Sequence, residues 1–170
     1  MELVDFMQIA LDRTKQATKR TVDGLTSHEL LWRPGAQANS IGLILFHGAR
    51  SEDTFIQATI QKKPQVWETE KWYEKLGMPL AETGSGYTAE QLVDFRPPEL
   101  KDLLDYGDAV RAKTQEYLKA MTPEKFDEKV SWGRMGELSI GALVALVITH
   151  AAQHAGEIGY LRGLQRGMNK

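Results

Sequence analysis

The final helical stretch, Ser139 to Leu164, places the strongest constraint on what this chain can form. Apolar residues recur there every three or four positions, the pattern of an α-helix with one buried face. They are Leu143, Leu146, Val147, Ile158 and Leu161. His150 and His154 fall on the same face, one helical turn apart. Imidazoles at i and i+4 can bind one metal ion with each nitrogen roughly 2.0–2.1 Å from it.

The segment between these histidines, HAAQH, has no glutamate after its first histidine. It therefore differs from the metalloprotease signature, in which that glutamate is the general base. Two interpretations of His150 and His154 stay open on this segment alone. They form half of a metal site, or they are core histidines that each satisfy one hydrogen bond.

A third histidine favours the metal site. A second long helix is predicted from Ile41 to about Lys62, with Ser40 as its N-cap. His47 lies on the apolar side of that helix, so three of the chain's four histidines face inward. Packed together without a metal, they would leave ring nitrogens unpaired at about 1–3 kcal/mol each. We therefore predict that His47, His150 and His154 share one metal ion.

The fourth histidine, His28, lies in the polar segment Thr26–Glu29, which has the form of a helix capping box. Its neighbours are polar, so we expect it on the surface rather than at the site. Four further polar residues are candidate neighbours of the site: Arg50, Ser51, Glu52 and Tyr160. The alternative is that they are ordinary polar residues of the helix surface or the core.

Length and composition bound the class of protein. The 170 residues suit one domain, residues 1–170, with a sizeable core. A net charge of −2 and the absence of a basic stripe argue against a nucleic-acid partner. The chain has no cysteine, which excludes disulfides and thiolate ligands. No signal peptide or membrane span is predicted, so we expect a soluble cytoplasmic protein.

The remaining pattern predicts an all-α fold. A first long helix is expected over residues 3–22 and a third from Pro97 and Pro98 to about Met121. An extended excursion around Lys129–Trp132 and the glycines after it precedes the last helix, and no credible sheet is predicted. The four long helices suggest a four-helix bundle.

The connection over residues 64–97 is long for a compact bundle. It is long enough to return along the bundle, so the second and third long helices can run parallel. Trp67, Trp72 and Tyr73 lie in this crossover and are expected to cover the core.

Four segments together carry a resemblance to a known family. They are W-R-P at Trp32–Pro34, the segment Ser40–Glu52, W-Y-E-K-L-G at Trp72–Gly77, and H-A-A-Q-H-A-G-E-I-G-Y-L-R-G at His150–Gly163. In these segments the chain resembles the DinB/YfiT-like superfamily of metal-dependent enzymes, along essentially its whole length. One histidine in the second long helix and an H-x-x-x-H in the last are fairly specific when they occur together.

The resemblance implies a four-helix bundle of up-down-down-up order, with the long crossover between the second and third helices. It also implies that His47, His150 and His154 bind a divalent metal, and that the protein forms a homodimer. Glu157 lies three residues after His154 on the same helix face. It is the candidate catalytic residue, as a base or as a group that orients water, and a simple salt bridge is the alternative.

Three imidazoles leave coordination positions open, whereas a structural zinc site is closed by a fourth protein ligand. An open site suits hydrolysis, thiol transfer or isomerisation. Zinc or nickel is the expected metal, and imidazole also accepts iron or manganese. Family members with assigned chemistry are thiol-dependent, namely relatives of mycothiol-dependent maleylpyruvate isomerase and bacillithiol S-transferases.

The resemblance therefore implies a metal-dependent thiol S-transferase or hydrolase. Its substrate is expected to be a small molecule, with a low-molecular-weight thiol as a partner. The alternative is a non-catalytic, metal-binding and dimerising module associated with stress.

Overall fold

The computed structural model describes residues 1–133 and 136–167, and this part of the chain is mostly helical. The α-helices are α1 (Leu3–Val22), α2 (Ser27–Leu31), α3 (Ile41–Asp53), α4 (Val66–Thr69), α5 (Trp72–Lys75), α6 (Ala89–Asp94), α7 (Leu100–Lys119) and α8 (Ile140–Arg166). A π-helix over Thr54–Ile60 continues α3, and a 3₁₀-helix covers Pro123–Asp127. Strands β1 (Lys129–Ser131) and β2 (Glu137–Ser139) pair in antiparallel fashion. The all-α class predicted from the sequence is confirmed.

Local interactions define where the predicted helices begin and end. Ser40 accepts a hydrogen bond from the Leu43 amide at 3.2 Å and so caps α3. Ser139 accepts one from the Ala142 amide at 3.2 Å and caps α8. Gly24, with φ of +66°, follows the end of α1 in a conformation that favours glycine. These caps confirm the beginnings of α3 and α8 as the sequence predicted them.

Three expectations about the elements were wrong in detail. The second long helix is α-helical only to Asp53 and ends as a π-helix at Ile60, short of Lys62. The third begins at Leu100, because Glu99 is its N-cap and the prolines lie outside it. A small sheet does exist, because β1 and β2 pair from Lys129↔Ser139 to Ser131↔Glu137. The predicted excursion extends into residues 134 and 135, which lie outside the described part.

The apolar residues of α1 are only partly buried. Met7 and Leu11 are buried, whereas Leu3 and Phe6 are 54% and 59% exposed. The two exposed residues lie at the first turns of the helix, so apolar spacing alone did not reveal that no neighbour covers them.

The four long helices pack against one another, α1 with α7 and α8, and α3 with α7 and α8. Asp12 accepts a hydrogen bond from Gln115 at 2.6 Å, and Lys19 pairs with Asp108 at 2.5 Å, both between α1 and α7. Between α3 and α7, the buried Arg111 guanidinium donates to both carboxylate oxygens of Glu52, at 2.8 and 2.7 Å.

The crossover between the π-helix and α7 is fixed to α3 by one buried carboxylate. Asp53, fully buried, accepts hydrogen bonds from the backbone amides of Val66 and Trp67 at 2.9 Å. It also accepts one from the Tyr106 hydroxyl of α7 at 3.0 Å. Burial of the carboxyl is the main reason that the pKa of Asp53 is raised above its usual value.

The crossover aromatics cover the core as predicted. Trp67 is fully buried, and Trp72 and Tyr73 pack on the same apolar cluster. The Trp67 indole donates to the Leu80 carbonyl at 2.8 Å, so its polar group is satisfied.

Within the described residues, the structure has no helix with the length and apolarity needed to cross a membrane.

Candidate metal centre

Three histidines from two helices converge at one place. His47 of α3 and His150 and His154 of α8 each offer a ligand nitrogen, and these nitrogens lie within 4.8 Å of one another. The Nε2 atoms of His150 and His154 are 3.0 Å apart. The ring of His47 packs edge-on against both, with centroids 5.2 and 5.1 Å away. The structure thus brings together the three residues that the sequence predicted as ligands.

Helical geometry brings His150 and His154 together, and the packing of α3 against α8 adds His47. His150 and His154 are one turn apart, so their rings project from the same side of α8. On α3, Gly48 follows His47, and a Cβ placed there would lie 3.6 Å from Cδ2 of His154. The ring of His154 therefore packs against α3 next to His47.

Glu157 and Ser85 bind the Nδ1 atoms that face away from the group. Glu157 Oε2 lies 2.7 Å from Nδ1 of His154, and a carboxylate can only accept there. The proton of His154 is therefore on Nδ1, which leaves the Nε2 lone pair free. Ser85 Oγ lies 2.9 Å from Nδ1 of His47. Neighbours of this kind fix the ring orientation of metal-binding histidines.

The loop that carries Ser85 is held tightly on α3. The Glu82 carboxylate accepts hydrogen bonds from the amides of Thr83 and Gly84 at 2.8 Å. The Arg50 guanidinium donates to the Glu82 carbonyl at 3.0 Å. The loop therefore has fixed contacts in the three residues that precede Ser85.

Gly84 is the point of closest approach between this loop and α3. Its φ is +69°, and a Cβ there would lie 2.9 Å from Phe46 Cδ1 and 3.2 Å from the Cα of His47. A side chain would push the loop outward, so the Ser85–His47 contact depends on this glycine.

Burial favours the neutral form of His47 and His150. The pKa of His47 is lowered from its ordinary value of 6.5 to about 4, mainly by burial and then by the proximity of His154 and His150. Burial also lowers the pKa of His150, with His154 as the next cause. A metal ion competes with protons for imidazole nitrogens, so side chains that are already neutral at pH 7 are suited to bind one.

The donor set fits a metal ion. Nitrogens about 2.0–2.1 Å from a tetrahedral ion lie roughly 3.3 Å apart, close to the Nε2 separation of His150 and His154. Within the part of the chain that the structure describes, the group contains three histidines and no carboxylate. Three imidazole ligands without a fourth protein ligand make an open site, as in catalytic zinc centres.

Other predicted neighbours have different partners. Arg50 donates to Gln65 at 2.5 Å and to Tyr106 at 3.3 Å, and Glu52 pairs with Arg111. Ser51 does lie beside the site, with Oγ 3.4 Å from Nε2 of His47. The Tyr160 side chain is exposed, and so is His28, as the sequence predicted.

Sequence reasoning missed Ser85. It is 38 positions from His47 and lies in a segment without periodicity, so no spacing rule connects the two residues. A signal was present only in the neighbouring glycines at 84 and 86, which mark a tight turn without saying what it contacts.

The fold and the histidine group together define an all-α protein with a candidate three-histidine metal centre. The sequence profile of the DinB superfamily matches residues 10–158, which include all three histidines and Glu157. The chain therefore belongs to the DinB superfamily.

A solved structure has a similar fold. The crystal structure of a conserved protein from Enterococcus faecalis is similar to this chain, with a TM-score of 0.85 at 24% identity. The alignment covers 96% of this chain and 97% of that protein, and the similarity shows a shared fold. No functionally curated protein matches the chain.

Proposed function

We propose that this protein is a divalent-metal-dependent enzyme acting on a small molecule, with thiol S-transfer or hydrolysis as the reaction. The observation that carries the proposal is the convergence of His47, His150 and His154 in a group with no fourth ligand among the described residues. Zinc or nickel is the proposed metal, and iron or manganese would also accept this donor set.

In this proposal the three histidines hold the ion, which supplies Lewis acidity and open coordination positions. Glu157 holds the proton on Nδ1 of His154, and Ser85 accepts from Nδ1 of His47. In the metal-binding state both rings then direct Nε2 into the site. The contact to His154 supports a positioning role for Glu157, and its role as a catalytic base stays a prediction.

We further infer the up-down-down-up order of the long helices. The pairs Asp12–Gln115 and Lys19–Asp108 support antiparallel α1 and α7, because the residue numbers rise along α1 as those of their partners fall along α7. Arg50–Tyr106 and Glu52–Arg111 support parallel α3 and α7. The long crossover then connects the two parallel helices as the family resemblance implied.

The first test is elemental analysis of tag-free protein beside the variant His150→Ala. About one equivalent of a transition metal is expected in the wild type and little in the variant. His28→Ala is the matched control, since this exposed histidine should not affect the metal content. Absence of metal from the wild type after incubation with zinc, nickel, iron and manganese would refute the centre.

The second test is turnover. The metal-loaded protein should conjugate a low-molecular-weight thiol to an electrophile or hydrolyse a small ester or amide, and His154→Ala should abolish the activity. Activity that survives this substitution would rule out the metal mechanism.

The alternative, a non-catalytic dimerising module, is favoured by one observation. Leu3, Phe6 and Ile9 expose an apolar edge of α1, each at about half or more of its surface. This alternative predicts a dimer that dissociates when Phe6→Glu is introduced, together with bound metal and no turnover. Sedimentation velocity on wild type and variant distinguishes a dimer from a monomer.

A further inference from the structure

A cavity lies between the four long helices, directly behind the histidines. Its volume is about 120 Å³, and residues of α1, α3, α7 and α8 all contribute to its wall. His150 and His154 form part of that wall. The cavity therefore adjoins the candidate metal centre.

The wall offers a ligand mainly apolar contacts. Ile44, Leu103, Val147 and Ile158 line it, and all four are buried. Each apolar group that a ligand covers gains roughly 25 cal/mol per Å² of surface removed from water.

The charged residues of the wall are already paired with each other. The Arg111 guanidinium donates to both oxygens of Glu52, and its third donor reaches the Leu11 carbonyl at 2.6 Å. Asp108 pairs with Lys15 at 3.0 Å and with Lys19 at 2.5 Å. Each charged group of the wall therefore already has a partner, although the cations outnumber the carboxylates by one. A buried polar group that is already paired gains little from a guest, so the apolar part of the wall favours an apolar ligand.

A glycine in the wall helps to keep this space open. Gly107 lies in the middle of α7, where glycine has a lower helix propensity than alanine. A Cβ at this position would meet nothing within 4 Å, so packing does not require the glycine.

We propose that this cavity binds a small apolar group about the size of one aromatic ring. An engineered cavity of about 150 Å³ in another protein binds benzene, which sets the scale. The inference rests on the proposed function in one respect, since the group is taken to be the apolar body of the substrate. Its position behind His150 and His154 would place the reactive end of such a substrate near the metal.

The test is a titration of metal-free protein with benzene, followed by the methyl NMR signals of the protein. Shifts are expected at Ile44, Leu103 and Val147, while Leu92, which lies outside the cavity wall, should not move. Using metal-free protein separates this test from that of the metal centre.

Gly107→Leu should fill the cavity and weaken benzene binding by roughly tenfold or more. Gly159→Ala is the matched control, because it adds a methyl to a helical glycine outside the cavity wall, where nothing lies within 4 Å. If Gly107→Leu fails to fold, the smaller Gly107→Ala should still weaken binding, by a lesser factor. No methyl shifts in the wild type, or equal binding by wild type and Gly107 variant, would overturn the inference.

The failures of the two proposals are distinguishable. Benzene binding without turnover of any thiol or ester substrate supports the cavity as a binding site and counts against the enzyme. Metal binding and turnover without benzene binding leave the enzyme standing and refute the cavity. If both proposals are correct, Gly107→Leu should raise KM for aromatic electrophiles, whereas its metal content should equal that of the wild type.

Discussion

His47 and His154 each have one ring nitrogen bound to a side chain outside the metal-ligand set. Glu157 provides this contact from the same helix, and Ser85 provides it from the crossover. The two contacts differ in what maintains them. A residue three positions away on α8 is placed by helical geometry, whereas Ser85 is placed by a loop that Arg50 and Gly84 hold against α3.

We predict that Ser85→Ala lowers metal affinity about 10- to 100-fold, the usual effect of removing a residue that orients a metal-binding histidine. Without the hydroxyl, Nδ1 of His47 loses its partner and the ring can rotate. Zinc affinity, measured by competition with a chromophoric chelator, tests this. Ser27→Ala, at an exposed serine of α2, is the control and should bind like wild type. Equal affinities for wild type and Ser85→Ala would show that the contact is incidental.

The lowered pKa values of His47 and His150 predict how the metal-free protein responds to acid. Below pH 6.5 the unfolded chain protonates His47, whereas the folded chain keeps it neutral to about pH 4. Unfolding therefore takes up a proton in this window, and stability falls as the pH falls from 6.5 to 4. His150, with its pKa also lowered by burial, adds to the same trend.

Urea midpoints of metal-free protein at several pH values across this window measure the effect. His47→Asn should make the dependence on pH shallower, because it removes a group that must stay neutral. His28→Asn should leave the slope unchanged, since this histidine is exposed. A slope that His47→Asn does not alter would contradict the prediction.

Among the elements, α3 and the crossover depend on each other through Asp53. This carboxylate accepts two backbone amides of the crossover and the hydroxyl of Tyr106. We predict that Asp53→Ala destabilises the protein by about 3–5 kcal/mol, because it leaves two backbone amides without an acceptor and removes the carboxylate that faces the buried Arg50 guanidinium. Glu68→Gln, an exposed change on α4, should shift stability by less than about 0.5 kcal/mol. Urea denaturation of the three proteins compares them.

The contact between α3 and the segment before α7 depends on Gly42. A Cβ at this position would lie 2.4 Å from Cβ of Pro97 and 3.2 Å from the Leu30 carbonyl oxygen. Gly42→Ala should therefore destabilise the protein by about 1–3 kcal/mol despite its better helix propensity. Gly159→Ala adds the same methyl to α8 where nothing lies within 4 Å, and should be neutral or stabilising by up to about 1 kcal/mol. Thermal unfolding that ranks the two variants equally would contradict this.

The elements also show what the sequence could reveal. The ends of α8, its buried face and the pair His150 and His154 follow from helical spacing and from one serine cap. The π-helix after Asp53 was missed because it has only seven residues. Over so short a segment, the spacing of apolar residues does not distinguish a π-helix from an α-helix of 3.6 residues per turn. The sheet was missed because each strand has only three residues, too few for a pattern to appear.

Long-range contacts were beyond the sequence for a different reason. The Ser85–His47 and Glu52–Arg111 pairs join residues 38 and 59 positions apart. Helical periodicity identifies the side of a helix that is buried, but it does not identify the residue on a neighbouring element that will meet it. The three histidines were predictable as a group because each falls on the apolar stripe of its helix in the sequence.

In the whole molecule, α3 with its π-helical continuation joins the three apolar clusters of the core. Phe46 belongs to the cluster under the crossover, Ile56 to the cluster beside α1 and the first half of α8, and Ile44 to the one at the other end of α8. A metal ion held by His47, His150 and His154 would connect α3 directly to α8. Its binding should therefore stabilise the whole fold rather than one loop.

This connection predicts the size of the stabilisation. A ligand that binds only the folded state adds about 2.7 kcal/mol when its free concentration is 100 times Kd. For a chain of this length, each kcal/mol raises Tm by roughly 2–4 °C, so zinc or nickel should raise Tm by about 5–11 °C. Differential scanning calorimetry with and without metal measures the shift, and a chelator should reverse it. His28→Ala should show the same shift as wild type, whereas in His150→Ala it should nearly vanish, because two imidazoles hold the ion less tightly and leave one helix weakly connected. An equal shift in His150→Ala would mean that the ion binds elsewhere on the protein.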